Sequence, residues 1–381
     1  MNQTTLELAT GPHAQLADPV ERTGFDIGWD HAHHGLVPPA ELLLDGTPVG
    51  QGWRAGRAVF GSRTLPGGRT TRLWLQLRTQ AWRRGLAFEC QQVTPHFLAQ
   101  IEVERCPVLR LPLGGAAGQP HATVVDRLNP QAGYAAGNLA VLSQRAVQAW
   151  EHVDGVEALR RAQRAQVGDD AVAGLDGPAW TRLAVLRSFA TPLPFHEAAR
   201  MPLAVLPPNR VRLLNAPQGL QALVTLQFTT AGWSQRARAL AALLPADDVR
   251  HDFNLFIGAL APRVLEAGHQ PRAVRLALED AWLHERVQRR WQHFVFSLGE
   301  AATASLLQRA AALGLAGVRT LHHAPEQAIE GWALGDHGQM PRIARSLPPA
   351  PWRAARPAPG RYPGNGAKGN SPAEKAPTRE C

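Results

Sequence analysis

Apolar residues recur every three or four positions along much of this chain, and that spacing predicts amphipathic helices. The pattern is clearest in residues 70–84, TTRLWLQLRTQAWRR, where Leu73, Leu77 and Ala81 would share one helical face. Residues 23–67 are instead rich in Gly and Pro, which interrupt regular structure. We therefore expect loops with short elements there, followed by a helix.

Short apolar runs bounded by turn residues occupy the centre of the chain and predict β-strands. The candidate strands are CPVLRLPL and HATVVDRL, and the second ends close to Asp126. NLAVLSQRAVQAWEHV then leads into a helix, while Thr94 and Pro95 supply an N-cap and a first-turn proline for a short helix upstream. The centre therefore predicts a two-stranded hairpin joined to a helix, with Asp126 at a strand end.

The later sequence is rich in Ala, Leu and Arg, in amphipathic runs that Gly, Pro and Asp separate, so it predicts a succession of helices. Pro, Ala, Gly and Arg dominate the last residues, where no packed structure is expected. We predict a mostly α-helical α+β protein. Its predicted segments are a flexible lead (1–22), a basic helix with a hairpin-and-helix module (23–150), a helical domain (151–344) and a disordered basic tail (345–381).

The net charge of +9 favours an acidic partner such as nucleic acid, but much of that charge lies in the tail. Residues 345–381 hold seven basic and two acidic residues, and so carry +5. Only Lys368 and Lys375 are lysines, and the other 38 basic residues are arginines. The body of the protein is therefore only mildly basic.

Positive charge in the body is concentrated between Asp45 and Glu89, where no acidic residue occurs. That window holds eight arginines, interleaved with tryptophans. Arginine pairs with phosphate and aromatic rings stack on bases, so we expect nucleic-acid contact here. The alternative is a solvated helix face with tryptophans in the core. The residues expected to bind nucleic acid are Arg69, Arg72, Arg78, Arg83 and Arg84.

The sequence contains no feature that predicts a membrane span or secretion. It has no uncharged apolar run of about 18 residues, and its N-terminus lacks a basic start followed by an apolar stretch. Cys90, Cys106 and Cys381 are too few for a disulfide framework, and no C-x-x-C pair predicts a structural zinc. We expect a cytoplasmic protein without membrane association and name no protein partner.

Histidines cluster in the stretch DHAHHG, at His31, His33 and His34. Their spacing matches no strong metal-site pattern, even with Asp26 or Asp30 included. We therefore expect a loop or helix-start cluster rather than a metal site.

The stretch VVDRLNPQAGYAAGNLAVLSQRAV, residues 124–147, lies in an arrangement that resembles the HNH endonucleases, specifically a phage-like branch. The matching pieces, in order over residues 70–150, are AWRRGLAFE, VTPHFLAQI, CPVLRLPL, VVDRLNP, GYAAGN and LAVLSQRAV. The resemblance implies a ββα-metal finger in a nucleic-acid-binding protein, with DNA favoured over RNA. It also implies metal-dependent phosphodiester hydrolysis as the ancestral activity.

In that family an Asp at the strand end binds a divalent cation such as Mg²⁺, and the ion polarises the scissile phosphate. The next residue is the His that deprotonates water, a middle Asn positions this His, and a His or Asn on the helix completes the metal site. The resemblance implies Asp126 as the metal ligand and Asn138 as the middle Asn. Gly133 and Tyr134 would form the turn of the motif.

The motif departs from the family at two positions. Arg127 stands where the base would be, and a guanidinium stays protonated, although it could bind phosphate. Val147 stands in the closing ligand position and cannot bind a metal. His121, in the preceding loop, is the candidate substitute base, and His96 is a second. We therefore expect weak or absent cleavage and, if there is none, no cofactor. The alternative function is a helical interaction scaffold without a nucleic-acid role.

Overall fold

The computed structural model describes residues 18–340, except 152, 154, 168–171, 173, 230, 269 and 316–327. Fourteen α-helices lie in that part of the chain: α1 (Pro19–His33), α2 (Pro48–Phe60), α3 (Arg69–Arg84), α4 (Pro95–Ile101), α5 (Gln144–Trp150), α6 (Gly155–Val167), α7 (Gly177–Phe189), α8 (Phe195–Arg200), α9 (Ala216–Gln227), α10 (Trp233–Ala242), α11 (Asp247–Glu266), α12 (Pro271–Ala281), α13 (Glu285–Leu298) and α14 (Glu300–Ala312). One antiparallel sheet contains β1 (Thr123–Arg127) and β2 (Leu139–Ser143). The predicted mostly α-helical α+β class is confirmed.

The N-terminal region is helical, so the prediction of loops over residues 23–67 was wrong. Helices α1 and α2 cross at glycines: a Cβ on Gly28 would lie 1.9 Å from the Val49 carbonyl oxygen, and one on Gly52 would lie 1.9 Å from the Phe25 carbonyl oxygen. These glycines allow two helix backbones to touch instead of forming turns. The glycine content that indicated loops therefore serves helix packing.

Both predicted terminal segments lie largely outside the described residues. Residues 19–22 of the predicted lead form the first turn of α1, whose N-cap is the Asp18 carboxylate, with Oδ1 2.9 Å from the Val20 backbone nitrogen. Residues 1–17 and the predicted tail, 345–381, are not described. None of the described helices is long and apolar enough to cross a membrane.

A hairpin joined to a helix is present at the centre of the chain, as predicted, although CPVLRLPL, one of the two predicted strands, is not part of it. In the register of the hairpin, Asp126 is opposite Ala140 and is the penultimate residue of β1. Helix α5 follows β2 directly, because the Ser143 hydroxyl caps its N-terminus by accepting a hydrogen bond from the Ala146 backbone. The predicted position of Asp126 at a strand end is therefore confirmed.

The predicted strand CPVLRLPL is not a strand. Its residues form turns closed by hydrogen bonds from Cys106 N to Leu111 O, at 3.0 Å, and from Arg110 N to Cys106 O, at 2.7 Å. Pro107 and Pro112 have no N–H to donate to a sheet, and Arg110 has a positive φ of 59° that ends any extended run. The hairpin is built from β1 and β2 instead.

The hairpin lies between two hydrophobic clusters, because successive strand residues point to opposite faces. Leu139 and Val141 pack into a cluster with side chains of α3 and α4. Ala140 and Leu142 pack into a larger cluster, which continues through α7, α9, α11 and α13 to Trp332. This larger cluster crosses residue 150, so the hairpin and the later helices share one core.

A buried carboxylate, Glu279 on α12, joins the turn region after Cys106 to the later helices. It is 3% exposed and accepts hydrogen bonds from Leu206 N at 3.0 Å, Arg275 Nε at 3.2 Å and Arg110 Nη2 at 3.2 Å. Arg110 also forms a two-pronged pair with Asp280, at 2.7 and 3.0 Å. The charge of Glu279 is thus matched by two guanidinium groups and one backbone donor.

Residues 328–340, called the return segment below, pack back onto the hairpin loop. Gly133 N donates to Trp332 O at 2.7 Å, and the fully buried Trp332 indole donates to Ala136 O at 3.0 Å. Ala87 N donates to Gly338 O at 2.8 Å, so the segment also touches the chain just after α3. The loop of the hairpin is therefore covered by residues far away in sequence.

Candidate nucleic-acid interface

Asp126, the candidate metal ligand, is engaged within the protein. Its Oδ1 accepts a hydrogen bond from Arg127 N at 2.8 Å, and its Oδ2 lies 3.5 Å from the Trp150 indole nitrogen. Among the described residues, no group of three or more His, Cys, Asp or Glu side chains could hold a metal ion. A hard cation requires several oxygen ligands, so these side chains do not fit the family's divalent metal.

Arg127, in the position of the family's base, holds the hairpin loop. Its Nη1 donates to Pro130 O at 3.0 Å and to Ala132 O at 2.8 Å. Its guanidinium carbon lies 5.2 Å from the centre of the Tyr134 ring, within the range of a cation–π contact. Arg127 therefore stabilises the hairpin loop at the position where the family has a catalytic imidazole.

Asn138, in the position of the middle Asn, is fully buried and ties the two ends of the hairpin loop together. Its Nδ2 donates to Asn129 O at 3.1 Å and Gly133 O at 3.0 Å, and its Oδ1 accepts from Asn129 N at 2.8 Å. All hydrogen-bonding directions of the amide except one are thereby used by backbone groups. Asn138 and Gly133 thus stabilise the turn.

The candidate base His121 is not brought to Asp126. Strand β1 begins at Thr123, so the three residues from there to Asp126 span roughly 10 Å, with His121 further upstream. His96 is exposed on α4 and pairs with the Gln100 amide at 2.7 Å. Val147 is half-buried and packs against the larger core cluster. Among the described residues, neither histidine makes a hydrogen bond or an ion pair with Asp126, whose carboxylate meets Arg127 N and the Trp150 indole.

A groove of 930 Å³ runs along α3, and we call it the α3 groove. One wall carries Arg72, Arg83 and Arg84 with the amides of Gln76 and Gln80. The opposite wall, from the connection between α1 and α2, carries Leu36, Val37 and Pro39, and the floor contains His31, Leu75 and Thr79. The groove is therefore basic on one side and apolar on the other.

The three groove arginines are exposed, and their positive charge is only weakly neutralised by described acidic side chains. Arg72 is exposed and makes no ion pair with a described residue. Arg83 lies 3.0 Å from Glu41, but both side chains are more than half exposed, so water screens the pair. Arg84 is exposed and lies close enough to the buried Tyr134 hydroxyl for its positive charge to lower the pKa of that group. Burial and the charge of Asp126 raise the pKa of Tyr134.

The other two predicted arginines lie outside this wall. Arg69 pairs with Glu102 at the surface. Arg78 is 6% exposed, forms an ion pair with Asp30 and stacks over Trp74 with its guanidinium carbon 4.5 Å from the ring centre. Arg78 thus joins α3 to α1 inside the protein and has no free face for a ligand.

The histidine cluster ends α1 rather than starting a helix or lying in a loop. His33 stacks on Phe60 with ring centres 4.4 Å apart. Burial lowers the pKa of His31, which is 6% exposed on the groove floor. The His31 Nδ1 lies 2.8 Å from the Ile27 carbonyl oxygen. A carbonyl only accepts, so Nδ1 carries the proton and Nε2 carries the lone pair.

Comparison of the chain with models of protein families, with curated proteins and with solved structures gave no match in any of the three.

Proposed function

We propose that this protein binds nucleic acid, with DNA favoured over RNA, through the α3 groove, and that the hairpin and α5 are the scaffold that holds this groove. One observation supports the proposal above all: Arg72, Arg83 and Arg84 converge on a single wall with little internal neutralisation. Guanidinium groups bind phosphate oxygens through paired hydrogen bonds and keep their charge at every physiological pH. The resemblance of residues 70–150 to HNH endonucleases agrees with this partner.

We expect charge reversal of the groove wall to weaken binding to every sequence alike. Arg72→Glu combined with Arg83→Glu removes two phosphate contacts and adds repulsion. With about three phosphate contacts, the logarithm of affinity should fall against the logarithm of salt concentration with a slope of about −2.7 for a duplex and about −2 for a single strand. Fluorescence anisotropy with a labelled oligonucleotide, measured at several salt concentrations, provides both quantities.

The matched control reverses Arg286 and Arg290 on α13, two exposed arginines outside the groove. This variant has the same net charge as the groove variant but leaves the wall intact. Equal losses in the two variants would attribute binding to overall charge and contradict the assignment to the groove. Absence of binding in the wild-type protein would remove the proposal and favour the helical scaffold.

We expect no metal-dependent cleavage above background from this protein. Losing a positioned base alone costs about 10²- to 10⁴-fold in rate, and the described residues contain no group of three or more His, Cys, Asp or Glu side chains that could hold an ion at Asp126. The measurement incubates wild-type and Asp126→Ala protein with plasmid and single-stranded DNA in Mg²⁺, Mn²⁺ or Zn²⁺. Nicking by the wild-type protein that disappears in Asp126→Ala would show an active site at this position.

A further inference from the structure

The α3 groove differs from a plain phosphate-binding surface because only one wall is charged. Val37 on the opposite wall is 64% exposed, and Leu36 and Pro39 lie beside it. A strip of apolar side chains facing arginines across a groove suits a ligand that is anionic on one side and apolar on the other. A nucleotide has this character, because its phosphate is charged and the face of its base is not.

The groove floor offers a hydrogen-bond acceptor, which a phosphate cannot use. The Nε2 of His31 makes no hydrogen bond with a described residue and is not sealed from solvent. The ring is neutral at pH 7, because burial lowers its pKa below the usual value. Phosphate oxygens also only accept, whereas the Watson–Crick edge of every base carries at least one N–H donor. His31 is therefore complementary to a base.

Access to this floor restricts the form of the nucleic acid. His31 is only 6% exposed, so a ligand group must enter the groove fully to reach it. In a duplex the Watson–Crick donors are paired with the opposite strand and the bases are stacked, which prevents such entry. The groove volume of 930 Å³ is at the upper end of the roughly 300–1,000 Å³ typical of small-molecule sites.

We propose that the α3 groove holds an unpaired base of a single-stranded or flipped-out nucleotide, against Leu36, Val37 and Pro39, with its Watson–Crick edge donating to His31 Nε2. The neighbouring phosphates lie on Arg72, Arg83 and Arg84. This inference rests on the proposed nucleic-acid function and names the part of the nucleic acid that the groove holds.

The test compares three labelled oligonucleotides of equal length: a single strand, the same strand with abasic sites at its central positions, and the blunt duplex. Packing a base against the apolar wall removes its face from water, so the intact strand should bind about tenfold more tightly than the abasic strand, which corresponds to about 1.4 kcal/mol. It should also bind more tightly than the duplex. Phosphate contact alone predicts the opposite order, because the duplex has the higher charge density.

The outcomes separate this inference from the function on which it rests. Equal affinity for the intact and abasic strands, or preference for the duplex, would overturn base holding and leave phosphate binding intact. Failure of all three oligonucleotides to bind would overturn the proposed function and base holding with it.

Variants of the two base-facing groups give a second readout, the ratio of affinities for the intact and abasic strands. Val37→Asp makes the apolar wall polar and so removes the surface against which the base packs. Its added charge repels the intact and abasic strands alike and does not alter the ratio. The ratio should therefore fall from about tenfold towards one. His31→Phe keeps a ring on the floor and removes the acceptor, and should lower the ratio in the same direction. The matched control is Val59→Asp, because Val59 is 66% exposed and lies outside the groove.

Val37 and Val59 are both exposed, so their variants should fold, and the unchanged ratio expected in Val59→Asp excludes a general effect of the new charge. A ratio that stays near tenfold in both Val37→Asp and His31→Phe would contradict base holding in this groove. His31→Gln, which restores an acceptor on the floor, should recover part of the ratio that His31→Phe loses.

Discussion

Gly28→Ala is expected to destabilise the protein by about 3 kcal/mol or more, which lies at the top of the range for overpacking a well-packed contact. The added methyl group would lie 1.9 Å from the Val49 carbonyl oxygen and 2.7 Å from the Trp53 backbone nitrogen. Both are backbone atoms, so no side chain can rotate away and the two helices must separate. Equilibrium unfolding in urea, followed by circular dichroism, measures the loss.

The matched control for this substitution is Gly258→Ala. Gly258 also lies inside a long helix, α11, but a Cβ there meets nothing within 4 Å. Alanine favours the helix by about 1 kcal/mol over glycine, so this variant should be as stable as wild-type or slightly more stable. Wild-type stability in Gly28→Ala would mean that α1 and α2 do not cross as closely as described. Because the α1–α2 connection forms the apolar groove wall, Gly28→Ala should also weaken oligonucleotide binding.

Glu279→Ala is expected to cost about 3 kcal/mol, because it leaves guanidinium groups and a backbone donor without their shared acceptor. Removing one partner of a buried ion pair costs roughly 3–5 kcal/mol. We expect the lower end of this range, since Arg275 stays half exposed and Arg110 keeps its pair with Asp280. The Leu206 N–H, by contrast, is buried and loses the carboxylate oxygen that accepts its hydrogen bond. The same urea titration gives the change in unfolding free energy.

Glu285→Ala serves as the control for Glu279→Ala, because it breaks an exposed ion pair with Arg289, at 3.5 Å. Surface pairs of this kind contribute less than about 1 kcal/mol, so the midpoint should hardly move. Equal midpoints for the two variants would show that the buried carboxylate does not join the turn region to α12 as strongly as its hydrogen bonds indicate.

Local signals in the sequence were sufficient for three elements, α3, α4 and β1. Each of these elements is encoded by neighbouring residues: α3 by its apolar spacing, α4 by the Thr94 cap and β1 by a short apolar run. The structure confirms all three. The error at CPVLRLPL has a local cause as well. Its two prolines remove sheet donors, so the run is a poorer strand than its apolar content suggests.

Helices α1 and α2 were missed because glycine was taken as a breaker. Gly24 and Gly28 are four residues apart, as are Gly52 and Gly56, and this spacing places each pair on one face of a helix. A pair of glycines on one face permits two helices to pack closely. This spacing was the feature of the sequence from which α1 and α2 could have been predicted. The burial of Arg78 could also be predicted from the helical spacing. Leu75 lies three residues before it and Trp82 four residues after it, so all three share the buried face of α3.

The groove itself has no counterpart in local sequence. Its apolar wall comes from the connection between α1 and α2, and its basic wall comes from α3, more than thirty residues later. Only the packing of α1 against α3 brings Val37 opposite Arg72. The basic wall was predictable from charge, whereas the apolar wall and the His31 acceptor required the fold.

The hairpin loop gains its full set of hydrogen bonds and packing contacts only after the return segment has been synthesised. A ribosome releases the hairpin, residues 123–143, well before residues 328–340, since the chain emerges from its N-terminus. Until then Gly133 N lacks its carbonyl partner, and the space that Trp332 fills beside Ala136 stays open to water. A nascent chain therefore carries the groove arginines next to an unfinished hairpin until the return segment has emerged. Chains interrupted before Trp332 therefore leave this loop uncovered.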